Sequence, residues 1–223
     1  MSERPTFRIN LAARAATADA RRARTRERLL DAAESVIADK GFQAASIEDF
    51  VSAAGVSRGT FYNYYPTIAA LMHDINMRVS GDIDRQLDRL ETAIEDPVAR
   101  LAAALHTVAA AVQSNPVRAW LALQLAGSNL PRAHVFEDRF AAIYREAVAL
   151  GRFRPIDMTS AWTLSFGAMR MAQRDLIAGA AAPTQTIEVV ALILTAFGVP
   201  FEDAEQISRL EAMAVRAGHT PAV

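Results

Sequence analysis

The chain holds 223 residues in 24.2 kDa, a size that buries a hydrophobic core in one or two domains without covalent staples. It has no Cys, which excludes a disulfide frame, a thiolate zinc site and a cysteine nucleophile, and fits a reducing cytoplasm. The net charge of -1 hides an asymmetry: residues 1–28 carry eight Arg against three acidic groups, pointing to an anionic partner there or else to a solvated tail.

Ala occurs 46 times and Gly ten times, and β-branched and aromatic residues nowhere alternate over the length of a strand. The expected fold class is therefore all-α. No signal-like apolar segment opens the sequence, and the longest apolar stretch near the C-terminus, 189–194, is far short of the roughly 20 residues that a membrane span needs. A soluble, cytoplasmic protein without a membrane partner is expected.

Residues 1–24 read as a basic, flexible arm whose Ala/Arg-rich second half is able to turn helical. An amphipathic helix is predicted from about Thr25 to Lys40, with Leu29, Ala32, Ala33, Val36 and Ile37 on one face and Gly41 as its stop. Ser46, with Asp49 three residues on, matches a capping box; Ile47, Phe50, Val51 and Ala54 follow at helical spacing until Gly55. Ser57 then caps a third short helix that ends near Tyr64, before Pro66.

Beyond Thr67 the helices lengthen. Asp96-Pro97 and Asn115-Pro116 each place a capping side chain before a Pro suited to a first helical turn. Gly127 to Pro131 and Gly151 to Pro155 read as loops, Asp157 caps a helix reaching about Gly179, Thr184 or Thr186 opens one through Phe197, and Glu202 to Arg216 forms the last. The small N-terminal domain is thus followed by a larger helical bundle.

Two short helices joined by Ala54-Gly55-Val56-Ser57 have the tight, Gly-containing turn of a helix-turn-helix. With Phe61 at the centre of the inward face and roughly 100° per residue, Tyr65 also turns inward. Gly59, Tyr62 and Asn63 then point away, Thr60 and Tyr64 lie on one flank and Arg58 on the other. Such a face suits a DNA groove: hydroxyls reach phosphates, Asn reads adenine, Arg reads guanine, a Tyr ring touches a thymine methyl, and Gly permits close approach. An ordinary amphipathic surface helix is the alternative.

The stretch from Thr25 to Leu71 resembles the DNA-binding region of the tetracycline-repressor (TetR) family. The resemblance rests on the Ala-rich first helix, Gly41-Phe42, Ser46 opening the second helix, Ala-Gly-Val-Ser at 54–57 and Gly-Thr-Phe-Tyr at 59–62. It implies a dimeric, ligand-responsive transcriptional regulator, usually a repressor, with residues 25–70 as the DNA-binding domain and 71–223 as the effector-binding and dimerisation domain. The DNA-contacting set is then Ser46, Ser57, Arg58, Gly59, Thr60, Tyr62, Asn63 and Tyr64. Arg21, Arg22 and Arg24, just ahead of the first predicted helix, are placed like the arms that reach a minor groove in other DNA-binding folds. Tyr64 and Ile68 stand where the family commonly has His and Lys. Tyr64 keeps a hydroxyl for a phosphate; Ile68 has none, a loss the basic arm is placed to compensate.

In the larger domain, Trp120 and Gln124 fall on one predicted helix, Phe136, Phe140 and Tyr144 on the next, and Trp162, Phe166, Met169 and Gln173 on a third. Apolar bulk with a few polar groups is what a small-molecule pocket in a bundle needs, and equally what a core needs. Sparse charge there favours an apolar or amphipathic effector. Residues 189–194 are apolar all round and so expected to be buried on both sides, with Ser165, Ala168 and Ala172 allowing the preceding helix to approach closely. The resemblance implies that helices at about 157–179 and 184–198 form a homodimer interface; a monomer that buries the second helix internally is the alternative.

Gly55-Val56-Ser57-Arg58-Gly59 matches the nucleophile elbow of α/β-hydrolases, but no strand precedes Ser57. The four His, at 73, 106, 134 and 219, have no metal-ligand spacing. The acidic run Asp82, Asp84, Asp88, Glu91, Glu95 and Asp96 is interleaved with Arg85, Arg89 and Arg100 and reads as a solvated face. No cofactor, metal or catalytic residue is expected. The reading is a repressor released from a palindromic double-stranded operator by a small ligand; the alternative is a helical ligand-binding or interaction protein that does not bind DNA.

Overall fold

The computed structural model describes residues 11–115, 117 and 133–218, and among these every regular element is a helix. The loop expected at 127–131 and the candidate ligand residues Trp120 and Gln124 lie outside them, as do residues 1–10. The chain divides into two compact units, Met1–Ile75 and Asn76–Val223.

In the first unit α1 spans Leu11–Lys40, α2 Ile47–Ala54 and α3 Arg58–Tyr64, with a 3-10 turn at Phe42–Ala44. Helix α1 begins well ahead of the predicted Thr25, so residues 11–24 are helix rather than a flexible arm. Neither Gly nor Pro interrupts it, and Ala and Arg are among the strongest helix formers. Leu29, Leu30, Ala33, Val36 and Ile37 are buried, and α1 packs against α2.

The capping box that opens α2 is complete: Asp49 N–H donates to Ser46 Oγ at 3.2 Å and Ser46 N–H donates to Asp49 Oδ2 at 3.0 Å. Lys40 Nζ adds a 2.5 Å bond to Asp49 Oδ1. Hydrogen bonds from Lys40 and Ser46 lower the Asp49 carboxyl to about 2. Gly55 ends α2 at φ 62°, a conformation only Gly adopts without strain.

Helix α4, Ile68–Ala93, starts in the first unit and ends in the second. The second unit continues with α5 Pro97–Gln113, α6 Ala133–Ala149, α7 Met158–Ile177, α8 Gln185–Ala196 and α9 Phe201–Arg216. Helix α5 is its hub and touches α6, α7, α8 and α9. Asp96 caps α5 and Asp157 caps α7, both as predicted, whereas Thr184 precedes α8 without a side-chain cap bond. One core cluster joins Leu101, Phe140, Tyr144, Met169, Ile193, Leu194 and Phe197; a second joins Ile83, Leu87 and Leu90 of α4 to Ala103 and Ala111 of α5.

Within the single chain α8 buries Val190, Ala191, Ile193 and Leu194 and leaves Leu192 52% exposed, so its burial on both sides would need a covering partner. The acidic run keeps its exposed face, and Arg139 of α6 bonds both Asp88 and Glu91 of α4 there. No described helix is long and apolar enough to cross a membrane.

The bundle also buries an imidazole. His106 Nε2 lies 3.0 Å from Ser208 Oγ, and that hydroxyl donates to the Ile187 carbonyl at 2.8 Å. Its one proton being used, the hydroxyl accepts from His106, which must carry its proton on Nε2. Burial lowers His106 from 6.5 to about 4, and the charge of Arg216 pushes the same way.

The folded state thus refuses a proton that the unfolded chain accepts. Stability is full above about pH 6.5 and falls as the pH drops from there toward about 4, by up to roughly 3 kcal/mol. Chemical denaturation across this range should show the loss. His106→Gln, which keeps a donor for Ser208, should flatten it; identical profiles for variant and wild type would refute the assignment.

Candidate functional site

The turn before α3 is made by Gly55 and closed by Val56 N–H donating to the Val51 carbonyl at 3.0 Å. Ser57 Oγ then accepts from Thr60 N–H at 3.1 Å and caps α3. Phe61 is 0% and Tyr65 3% exposed, while Tyr62 is 43% exposed. Arg58, Gly59 and Asn63 are also exposed, and Thr60 and Tyr64 are half-buried. A single outward face of α3 thus carries the side chains nominated from helical rotation.

Their polar groups are more committed than spacing reveals. Ser46 and Ser57 are helix caps first, and Ser57 Oγ also pairs with Thr60 Oγ1 at 2.8 Å. Arg58 bonds the Glu48 carboxylate from α2, and its guanidinium carbon lies 5.8 Å from the centre of the Tyr62 ring. Arg22 lies over the Tyr64 ring at 5.8 Å, which brings α1 and α3 together at the basic end. Arg21 and Arg24 are exposed on α1.

Three residues that sequence reasoning missed hold this face in place. Arg28 of α1 donates to the Ala54 carbonyl at the end of α2 and reaches Gly55 O at 3.5 Å. A Cβ at Gly55 would stand 3.2 Å from that guanidinium, a second reason for Gly there. Arg26 grips Asp74 of α4 through Nε at 3.0 Å and Nη2 at 2.6 Å. The buried Tyr65 hydroxyl sits beside the same carboxylate, and burial together with that charge raises its pKa above the ordinary phenol value. No local spacing signals any of these pairings, since the partners lie far apart in sequence.

In the second unit four of the nominated aromatics form a chain. Phe140 and Tyr144 rings are 5.9 Å apart, Phe140 and Trp162 5.5 Å, and Trp162 and Phe166 5.0 Å and stacked. The chain runs outward from buried Phe140 and Tyr144, through half-buried Trp162, to Phe166 at 40% exposure. Buried Met169 and Gln173 share the α7 flank of Trp162 and Phe166. Tyr144 is an anchor: its hydroxyl donates to the Arg154 carbonyl and accepts from Ile156 N–H, both at 2.9 Å. Phe136 does not join the chain but packs on the cluster shared by α4 and α5. A separate groove of about 500 Å³, lined by Arg152, Val199, Pro200, Ile207 and Leu210 among others, contains none of the nominated ligand residues. Among the described residues no cluster of His, Asp or Glu could hold a metal ion.

The family profile described as bacterial regulatory proteins, tetR family, matches residues 29–75, the segment that builds this face. This N-terminal segment is thus similar to the DNA-binding region of the TetR family. The transcriptional repressor KstR of Mycobacterium tuberculosis (strain ATCC 25618 / H37Rv) is similar, 31% identical over 117 residues, which cover 52% of this chain and 50% of KstR. The chain thus spans about half the length of the curated relatives it matches best covered. YvdT of Bacillus subtilis (strain 168), an uncharacterized HTH-type regulator, is 48% identical over 46 residues, 21% of this chain and 24% of YvdT. Among solved structures, RolR in complex with resorcinol superposes with a TM-score of 0.68 at 23% identity, covering 85% of this chain and 95% of RolR. At that identity the likeness concerns the fold alone.

The two faces of α3 make opposite predictions. Phe61→Ala should destabilise the first unit by roughly 3–5 kcal/mol in thermal or chemical unfolding. Tyr62→Ala and Asn63→Ala should leave stability unchanged and weaken specific DNA binding by about 1–3 kcal/mol each, measured by titration against an operator duplex. Wild-type affinity in both outward variants would contradict the face assignment.

Proposed function

We propose that the chain is a dimeric DNA-binding repressor that leaves a palindromic operator when a small apolar or amphipathic ligand binds its second unit, and that it works in the cytoplasm. The observation that carries the DNA reading is the outward face of α3, on which Tyr62 and Asn63 are exposed while Phe61 and Tyr65 are buried. A helix whose solvent side offers hydroxyls, an amide and a guanidinium meets the requirements of major-groove reading. Arg21, Arg22 and Arg24 add cations along α1 for the phosphates. That KstR is a transcriptional repressor supports the sign of control.

For dimerisation the reading uses α7 and α8. Leu164 and Met171 share one flank of α7, at 44% and 46% exposure, and Leu192 of α8 is 52% exposed. Exposed Leu and Met at that spacing favour a covering partner, and a second copy supplies one by two-fold symmetry. Phe166 and Trp162 stand on the other flank of α7, so ligand and partner need not compete. Helix α4, gripped by Arg26 at Asp74, is the connection through which a ligand would alter the spacing of the two recognition helices. A ligand acts only through its differential affinity for competent and incompetent spacings.

The effector site is proposed at the open end of the aromatic chain, around Trp162, Phe166, Met169 and Gln173. The solved RolR complex holds resorcinol, which makes small phenols the first probes. An effective ligand should quench or shift Trp fluorescence and lower operator affinity over the same concentration range. Phe166→Ala should impair both responses while leaving dimerisation intact, read by analytical ultracentrifugation. A Trp162→Ala, Phe166→Ala double variant whose DNA affinity still responds like wild type would place the effector elsewhere.

A further inference from the structure

Arg58 is restrained from two elements. Its Nη1 bonds the carboxylate of Glu48 in the first turn of α2, its Nη2 lies 3.5 Å from the Tyr62 hydroxyl one turn along α3, and the Tyr62 ring stacks against it. Arg58 and Glu48 side chains are 60% and 62% exposed, so the pair lies in solvent. The neighbouring carboxylate, Asp49, is absorbed by the α2 cap and by Lys40. Glu48 is not, and its carboxylate bonds Arg58.

A carboxylate on a surface that must approach a polyanion is unfavourable in itself. An unrestrained Arg at the same place would grip any phosphate, whatever the sequence. Fixing the guanidinium between a carboxylate and a phenol changes this. Two of its N–H groups are occupied, and the remaining ones keep the planar fork geometry that matches an acceptor pair on a base edge.

Resting on the reading that α3 enters a DNA groove, we propose that Glu48 is a positioning residue that sets sequence specificity. With Tyr62 it holds Arg58 oriented toward the O6/N7 edge of a guanine, and its own charge disfavours the phosphate contacts that carry no sequence information. The exposed pair contributes little to folding, so Glu48 can be altered without loss of the domain.

The test uses the intact protein, a duplex that the wild type enriches from a random pool, and a scrambled duplex of the same composition, each titrated at several salt concentrations. Glu48→Gln should bind the scrambled duplex more tightly, with a log–log salt slope steeper by about 0.9 as Arg58 becomes available to a phosphate. The ratio of specific to non-specific affinity should fall about tenfold. Arg58→Lys should lower the same ratio, and the double variant should fall no further than Arg58→Lys alone, because Glu48 acts through Arg58. Equal tightening on both duplexes, or losses from the two substitutions that add in full, would show Glu48 to be a surface charge only and overturn the proposal. A wild type that enriches no duplex would overturn the DNA-binding reading itself, an outcome distinct from an unchanged ratio in Glu48→Gln.

Discussion

Everything at the N-terminal end depends on the burial of one side chain, Phe61. It is wholly enclosed, Tyr65 follows it inward one turn later, and between them they fix the rotation of a helix only seven residues long. A helix that short has no stability of its own in water and holds its orientation only through packing. Once Phe61 is inside, Arg58, Tyr62 and Asn63 have no direction left but outward. The outward face of α3 is therefore a consequence of the core, and substitutions that reshape the core would move it.

Arginine does two kinds of work around that surface. Arg26 and Arg28 serve the fold: one ties α1 to the start of α4 through Asp74, the other ties α1 to the carbonyls at the α2 turn. Arg21, Arg22 and Arg24 stay on the solvent side of α1, and Arg58 sits between these roles, restrained by Glu48 but exposed. In the proposed reading the same residue type supplies the scaffold, the general attraction for a polyanion and the oriented reader. A chain with 23 Arg and one Lys has planar donors at every one of these places, and planar donors suit bidentate contacts to a carboxylate or a base edge better than an ammonium does.

Local signals made much of this legible in the sequence. The capping box at Ser46 and Asp49, the stop at Gly55, the cap at Ser57 and the inward spacing of Phe61 and Tyr65 all lie within a few residues of what they control, and the structure has each of them. Long-range pairings were not legible. Arg28 with Ala54, Arg26 with Asp74 and Arg139 with Asp88 and Glu91 join residues far apart in the chain, as does the His106–Ser208–Ile187 chain. Residues 11–24 misled for the opposite reason, because a charged Ala/Arg stretch without apolar periodicity reads as a tail while its propensity favours helix. In the second unit, Phe140, Tyr144, Trp162 and Phe166 meet as expected, but Phe136 follows α6 to the other core cluster, a separation that depends on where α4 packs.

The central claim is that the outward face of α3, presented twice by a symmetric dimer, reads a two-fold DNA site. Selection of duplexes from a random pool by the intact protein tests it most directly. Enrichment of a pseudo-palindrome whose half-sites are separated by one helical turn, about 34–36 Å, or a multiple of it is the result the account predicts. Enrichment of an asymmetric site, or recovery of no preferred sequence at any salt concentration, would contradict it.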